Sequence, residues 1–270
     1  MDQVDPDIAE FFAPLAPAQA FGVVLSEAHE VLRQVREPVD AELWGSDMIG
    51  ALSRSSPDEA AMMRELTSAL VPAAEEAATP EALALLRIFA AIGSPGLRAA
   101  AAEAADRVAA LGVPEQSWAA AIGMPKVAEC WHFGDVGGRQ ESVTMTFAYG
   151  ARTHALSVLI DHGRGGKIKD VWAGDAAGLI DKTFLAAESD PLVVFEELDP
   201  ADAHGRLERA IAAGEHPELP DQRDDIVAHR ALLYARMSMI AVESAISPGA
   251  SPEGPAEPEA SAGHDQPGGD

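Results

Sequence analysis

The sequence predicts an α+β fold: a helical N-terminal half of about five helices, a three- to four-stranded antiparallel β-meander, C-terminal helices that cover the sheet, and a disordered tail. Three observations carry this. From Glu141 to Asp175 apolar and polar residues alternate with a period of two. On both sides of that stretch apolar residues recur at spacings of three and four. After Ser247 almost every residue is Pro, Gly, Ala, Ser, Glu or Asp, which bury too little apolar surface to offset chain entropy.

In the central stretch Val143, Met145, Phe147 and Tyr149 share one strand face, and Ser142, Thr144, Thr146 and Ala148 share the other. The next run sets Leu156, Val158 and Ile160 against Ala155, Ser157, Leu159 and Asp161. The third sets Ile168, Asp170 and Trp172 against Lys167, Lys169 and Val171. The turns Gly150-Ala-Arg-Thr and Gly163-Arg-Gly-Gly are too short for a parallel crossover, so neighbours are antiparallel. Val127 to Phe133 supplies a further strand. With Tyr149 placed opposite His154, Phe147 meets Leu156 and Met145 meets Val158. Putting Ile160 and Ile168 on one side then puts Asp170 on the apolar face, opposite Val158 or Ile160. A carboxylate there must be bonded, paired or protonated.

Residues 17 to 112 read as consecutive helices. Phe21, Val24, Leu25, Ala28, Leu32 and Val35 form the stripe of the first, which ends by Pro38; Leu43, Trp44, Met48, Ile49 and Leu52 mark a second. Ser56-Pro57, Thr79-Pro80 and Ser94-Pro95 each put a hydroxyl at the N-cap and proline at the first helical position, and Glu59 completes a capping box. Pro114 to Lys126 connects to the sheet. Beyond it Leu179, Ile180, Phe184 and Leu185 form a helical stripe. Asp190-Pro191 and Asp199-Pro200 read as two more helix starts. Pro217 and Pro220 mark a loop, and a last helix runs from about Asp221 to Ile246, with Ile226, Leu233, Met237 and Ile240 buried. The expected organisation is an acidic segment over 1–16, a helical bundle or short α-solenoid over 17–126, the sheet with its covering helices over 127–246, and the tail over 247–270.

Apolar residues make up 47% of the chain, enough for a core, while the formal charge is −25 and the pI about 4.5. That charge argues against direct nucleic-acid binding and against an anionic membrane surface, and it fits a basic protein partner. A single cysteine, Cys130, excludes an intramolecular disulfide and fits a reducing compartment. With no signal-like N-terminus and no membrane-length apolar run, the expectation is a cytoplasmic protein. The Ala, Gly, Asp and Arg content matches a GC-rich bacterial genome. The sequence does not fix the oligomeric state.

Known catalytic signatures are absent: no G-x-x-x-x-G-K-[ST], H-E-x-x-H, G-x-S-x-G or paired C-x-x-C. The glycine turn at 163–166 joins two strands rather than opening a helix, so it lacks phosphate-loop geometry. Cys130 and His132 share a strand face and are weak metal candidates. His154 and His162 also share a face, but eight residues of strand separate them by about 26 Å, too far for one ion. No cofactor is expected. Asp225 and His229 are four apart on a helix and read as surface packing.

Two readings follow. The favoured one is a non-enzymatic interaction or regulatory module that uses its helices and the Ser/Thr face of its sheet. The alternative is an enzyme, hydrolytic in one version, or a small-molecule binder. Its pocket would lie between sheet and helices near Asp170, with Trp172, Tyr149, His154, Asp161 and His162 as candidate residues.

Overall fold

The protein is described from a computed structural model over residues 17–56, 58–214 and 224–246. The anticipated N-terminal acidic segment, the loop at Pro217 and Pro220 and the C-terminal tail lie outside the described residues.

The N-terminal half is helical, as expected. It comprises α1 (Pro17–Leu32), α2 (Pro38–Arg54), α3 (Glu59–Glu65), α4 (Val71–Ala77), α5 (Pro80–Ile92) and α6 (Pro95–Ala110). A π-helical turn, Leu66–Leu70, joins α3 to α4, and the Val71 N–H donates to the Leu66 carbonyl. Pro72 explains it: with no N–H, proline cannot complete a regular turn, and the chain widens just before it. The Thr79 hydroxyl caps α5 by accepting from the Ala82 N–H at 3.2 Å. At α3 the cap differs from expectation. Asp58 accepts from the Ala61 N–H at 2.8 Å, and Ser56 lies two residues before the cap. Glu59 is therefore the first helical residue rather than part of a capping box, and its carboxylate pairs with Arg230.

The sheet has five antiparallel strands: β1 (Lys126–Asp135), β2 (Gln140–Tyr149), β3 (Arg152–Asp161), β4 (Lys167–Asp175) and β5 (Val193–Leu198). Their order is β4-β3-β2-β1-β5. The first four form the expected meander. Between β4 and β5 lies α7 (Ala176–Ser189), capped by Asp175 accepting from the Gly178 N–H at 2.8 Å. The fifth strand replaces the helix expected at Asp190-Pro191. There the Asp190 carboxylate accepts from the Leu192 N–H at 2.9 Å, which makes a turn, and the β-branched run after it pairs with β1.

Two corrections concern register. Phe147, not Tyr149, lies opposite His154, and Met145 meets Leu156. The β2–β3 turn has two residues, with Gly150 at φ +60°, so Tyr149 pairs with Arg152. The slip is two residues and leaves every face unchanged. In the β3–β4 pair a bulge intervenes: Ile168 faces Ile160, but Asp170 faces Leu159 and Val171 faces Val158. Lys169 is the extra residue. The bulge inverts the alternation, so Asp170 and Trp172 lie on the outer face and Val171 joins the core.

The inner face packs on α8 (Pro200–Gly214) and α9 (Asp224–Ile246). Val143, Phe147, Leu156 and Val158 are buried there with Leu207, Leu233, Met237 and Ile240. A second core lies within the helical half, around Leu52, Leu66, Leu86 and Phe89. Helix α9 serves both. Leu232 and Ala235 enter the helical core, whereas Leu233, Met237 and Ile240 enter the sheet core. The approach of α9 to α2 is close: a Cβ on Gly50 would stand 2.5 Å from the Val227 carbonyl oxygen. The Ser46 hydroxyl also bridges α9, donating to the Ala228 carbonyl at 2.6 Å and accepting from the Leu232 N–H at 3.2 Å. No helix among the described residues is long and apolar enough to cross a membrane.

Candidate functional site

The six candidate pocket residues fall in three separate places. Tyr149 and His154 come together in the interior, between the sheet and the helical half. Their rings stack with centroids 5.9 Å apart. They do so around an ion pair that sequence reasoning missed. Arg236 of α9 and Glu42 of α2 are both fully buried and paired. Glu42 Oε1 also accepts from the Tyr149 hydroxyl at 2.8 Å and from the Gly123 N–H at 3.0 Å. The guanidinium lies over the Phe147 ring at 5.2 Å and the Tyr149 ring at 5.8 Å.

His154 completes the cluster. Arg236 Nε donates to its Nε2 at 3.3 Å. A guanidinium only donates, so Nε2 is the acceptor and the ring is neutral with its proton on Nδ1. Burial, reinforced by the Arg236 charge, pulls the His154 pKa down to about 3. Burial and the Glu42 charge likewise raise the Tyr149 hydroxyl. The Glu42 carboxylate, the Arg236 guanidinium, the Tyr149 hydroxyl and His154 Nε2 all bond to protein groups, so the cluster holds α2, the sheet and α9 together.

Asp161 and His162 mark a second place, at one end of the sheet. Asp161 accepts from the Gln140 side chain at 3.1 Å. His162 Nε2 lies 3.0 Å from Glu141, whose carboxylate also meets His132 Nε2 at 3.3 Å and pairs with Arg206 of α8. Burial alone would raise the Glu141 carboxyl. Hydrogen bonds from Arg206 and His162, with the charges of Arg206 and His132, outweigh it and hold the carboxyl below the ordinary range. The other nitrogen of His132 lies 3.1 Å from Glu196 of β5. Gly134 is needed beside it, since a Cβ there would stand 2.9 Å from His132 Nε2. The metal candidates separate. Cys130 is buried in the sheet core, while His132 turns to these two carboxylates. Among the described residues no three His, Cys, Asp or Glu side chains are gathered as metal ligands. Asp225 bonds His229 through its backbone carbonyl, at 2.8 Å from Nδ1.

Asp170 and Trp172 occupy the third place, the outer face. Asp170 accepts from the N–H of its own neighbour Val171 at 2.9 Å. Trp172 is 46% exposed, and its indole lies over Gly174. On the same face Trp131 stacks on Phe195, centroids 4.9 Å apart, and Phe195 meets Phe184 of α7 edge-on at 6.1 Å. Thr144 and Ser157 are hydrogen-bonded at 2.9 Å between the two tryptophan-bearing strands. Only Ala176 of α7 is fully buried, whereas Phe184 and Leu185 are 49% and 61% exposed. Leu192 is 62% exposed beside Val136 of the β1–β2 turn, which donates its N–H to the Leu192 carbonyl at 2.9 Å.

Comparison of the chain with protein-family models, with curated proteins and with solved structures finds no match in any of the three.

Proposed function

We propose that this protein is a non-catalytic interaction module of the cytoplasm that docks a basic protein segment on the outer face of its sheet, along α7. The observation that carries the reading is the exposure of four large apolar side chains, Trp172 on β4, Phe184 and Leu185 on α7, and Leu192 just before β5. Single exposed hydrophobes are ordinary, but a run of large ones on one side of a sheet marks an interaction surface. Carboxylates border it: Glu129, Asp181, Glu188, Asp190 and Glu197 are all exposed. A partner with apolar anchors and Lys or Arg at its rim matches that border and is steered by the net charge of −25. One buried thiol and no other cysteine fit a reducing compartment.

The hydrolytic alternative finds less support. Asp170 is bonded to its own strand, and among the described residues no serine or threonine hydroxyl is hydrogen-bonded to a histidine. The docking reading is tested by placing a photocrosslinking amino acid at Phe184 and, as control, at Leu111, which is 75% exposed on the helical half. A discrete adduct with a basic protein is expected at Phe184 and not at Leu111. Equal labelling at both positions would remove the proposed surface.

A further inference from the structure

A cleft of about 460 Å³ opens between edge strand β4, the turn after β3, and helices α8 and α9. Its size is that of a small-ligand pocket, and it lies apart from the outer face. Two features make it unusual in this chain. The floor is apolar, from Ile168, Ile211, Ile226 and Leu233. The rim is basic, from Arg164, Lys167, Lys169 and Arg230. Four cations stand against two carboxylates, Asp161 and Glu59, which leaves a local net charge of about two positive in a chain of net −25. Arg230 is itself paired with Glu59, so the excess rests on Arg164, Lys167 and Lys169 against Asp161, whose amide partner Gln140 carries no charge.

The backbone builds this arrangement. In an unbroken strand Lys169 would point away from Ile168. The bulge at Lys169 breaks that rule, and Lys167 stands at the first position of the strand, so that Lys167, Ile168 and Lys169 all line the one cleft. Gly165 and Gly166, at φ +84° and +76°, turn the chain back sharply enough to set Arg164 at the same mouth. A cationic rim over an aliphatic floor is complementary to a molecule with an anionic head and an apolar body. We infer that this cleft binds a small amphipathic anion, an aliphatic chain or ring carrying one carboxylate or phosphate.

The test is calorimetric titration of the full chain with decanoate, decyl phosphate and 1-decanol, all below their micellar concentrations. Lys167→Gln/Lys169→Gln removes half the rim from half-exposed positions, and Ile211→Ser roughens the floor. Lys182→Gln on α7 is the control. One anion per chain is expected, with decanol at least tenfold weaker, since one charge-assisted hydrogen bond corresponds to about tenfold. The double variant should lose about tenfold for the anions and little for decanol, whereas Ile211→Ser should weaken all three ligands. The stronger of the two anions then names the head group. Three results would overturn the inference: no saturable binding of either anion, decanol binding as tightly as decanoate, or wild-type affinity in the double variant.

Discussion

At the scale of single residues, the interior cluster makes two predictions. His154 has its pKa depressed to about 3 in the folded chain, against an ordinary value of 6.5. The unfolded chain therefore binds more protons between those values, and stability falls as pH drops below about 6.5. From pH 7 to pH 5 the loss attributable to His154 is about 2 kcal/mol, and His154→Gln should abolish that part of the slope in urea denaturation. The second prediction concerns the buried pair. Removing one partner strands a charge in the interior, so Glu42→Gln and Arg236→Met should each cost about 3–5 kcal/mol. The double variant should cost clearly less than their sum, because no unpaired charge remains. Additive costs would show that the two side chains act independently.

These residues also show where sequence reading stopped. The central stretch forms strands β2, β3 and β4, and the rings of Tyr149 and His154 meet. A carboxylate at Asp170 on the apolar face would have needed a loop backbone or an arginine from a covering helix to satisfy it. Such an arginine exists, but its partner is Glu42, some two hundred residues earlier in the chain. Arg236 was readable as a charge on the same helix stripe as Leu232 and Ile240. Glu42 was not, because no local pattern says which helix α9 will meet. Asp170 was misplaced by one bulged residue, and nothing in Lys-Ile-Lys-Asp announces a bulge.

At the scale of elements, the contact of α2 with α9 organises the packing. Along α2, Glu42, Ser46, Gly50 and Ser53 recur at spacings of three and four and are all buried. This small and polar stripe lets two helix backbones approach, and the Ser46 hydroxyl joins the α9 hydrogen-bond ladder. Gly50→Ala would push a methyl into the Val227 carbonyl, which belongs to backbone and cannot swing away. We expect a cost of about 1–3 kcal/mol from overpacking. Gly96→Ala, where nothing lies within 4 Å, should be neutral or stabilising in the same urea titration. Helix α7 is the opposite case. It was legible from Leu179 and Ile180, but no local pattern separates them from Phe184 and Leu185, which lie on the same predicted stripe and stay exposed. The fifth strand was missed for a related reason: six residues after an Asp-Pro turn carry too short a pattern to separate strand from helix.

At the scale of the whole molecule, the α+β class and the helical-then-sheet order were legible because long periodic segments dominate them. The joining of the halves was not legible, since it depends on α9 supplying both cores. The resulting architecture separates two sides of the sheet. The inner side packs against α8 and α9, and the basic cleft opens beside its edge strand β4. The outer side is only partly covered, by the weakly seated α7. The proposed capture of a basic segment rests on this exposed apolar surface together with the net charge of −25.

The most direct test of that account is the yield of the Phe184 photoadduct in two variants with the same crosslinker. Trp172→Ser changes only the outer face, and Arg206→Gln changes only the inner side, where Arg206 meets Glu141. The account predicts that the adduct is lost or strongly reduced in Trp172→Ser and kept in Arg206→Gln. An adduct indifferent to Trp172, or lost with Arg206 while the variant remains folded, would contradict it.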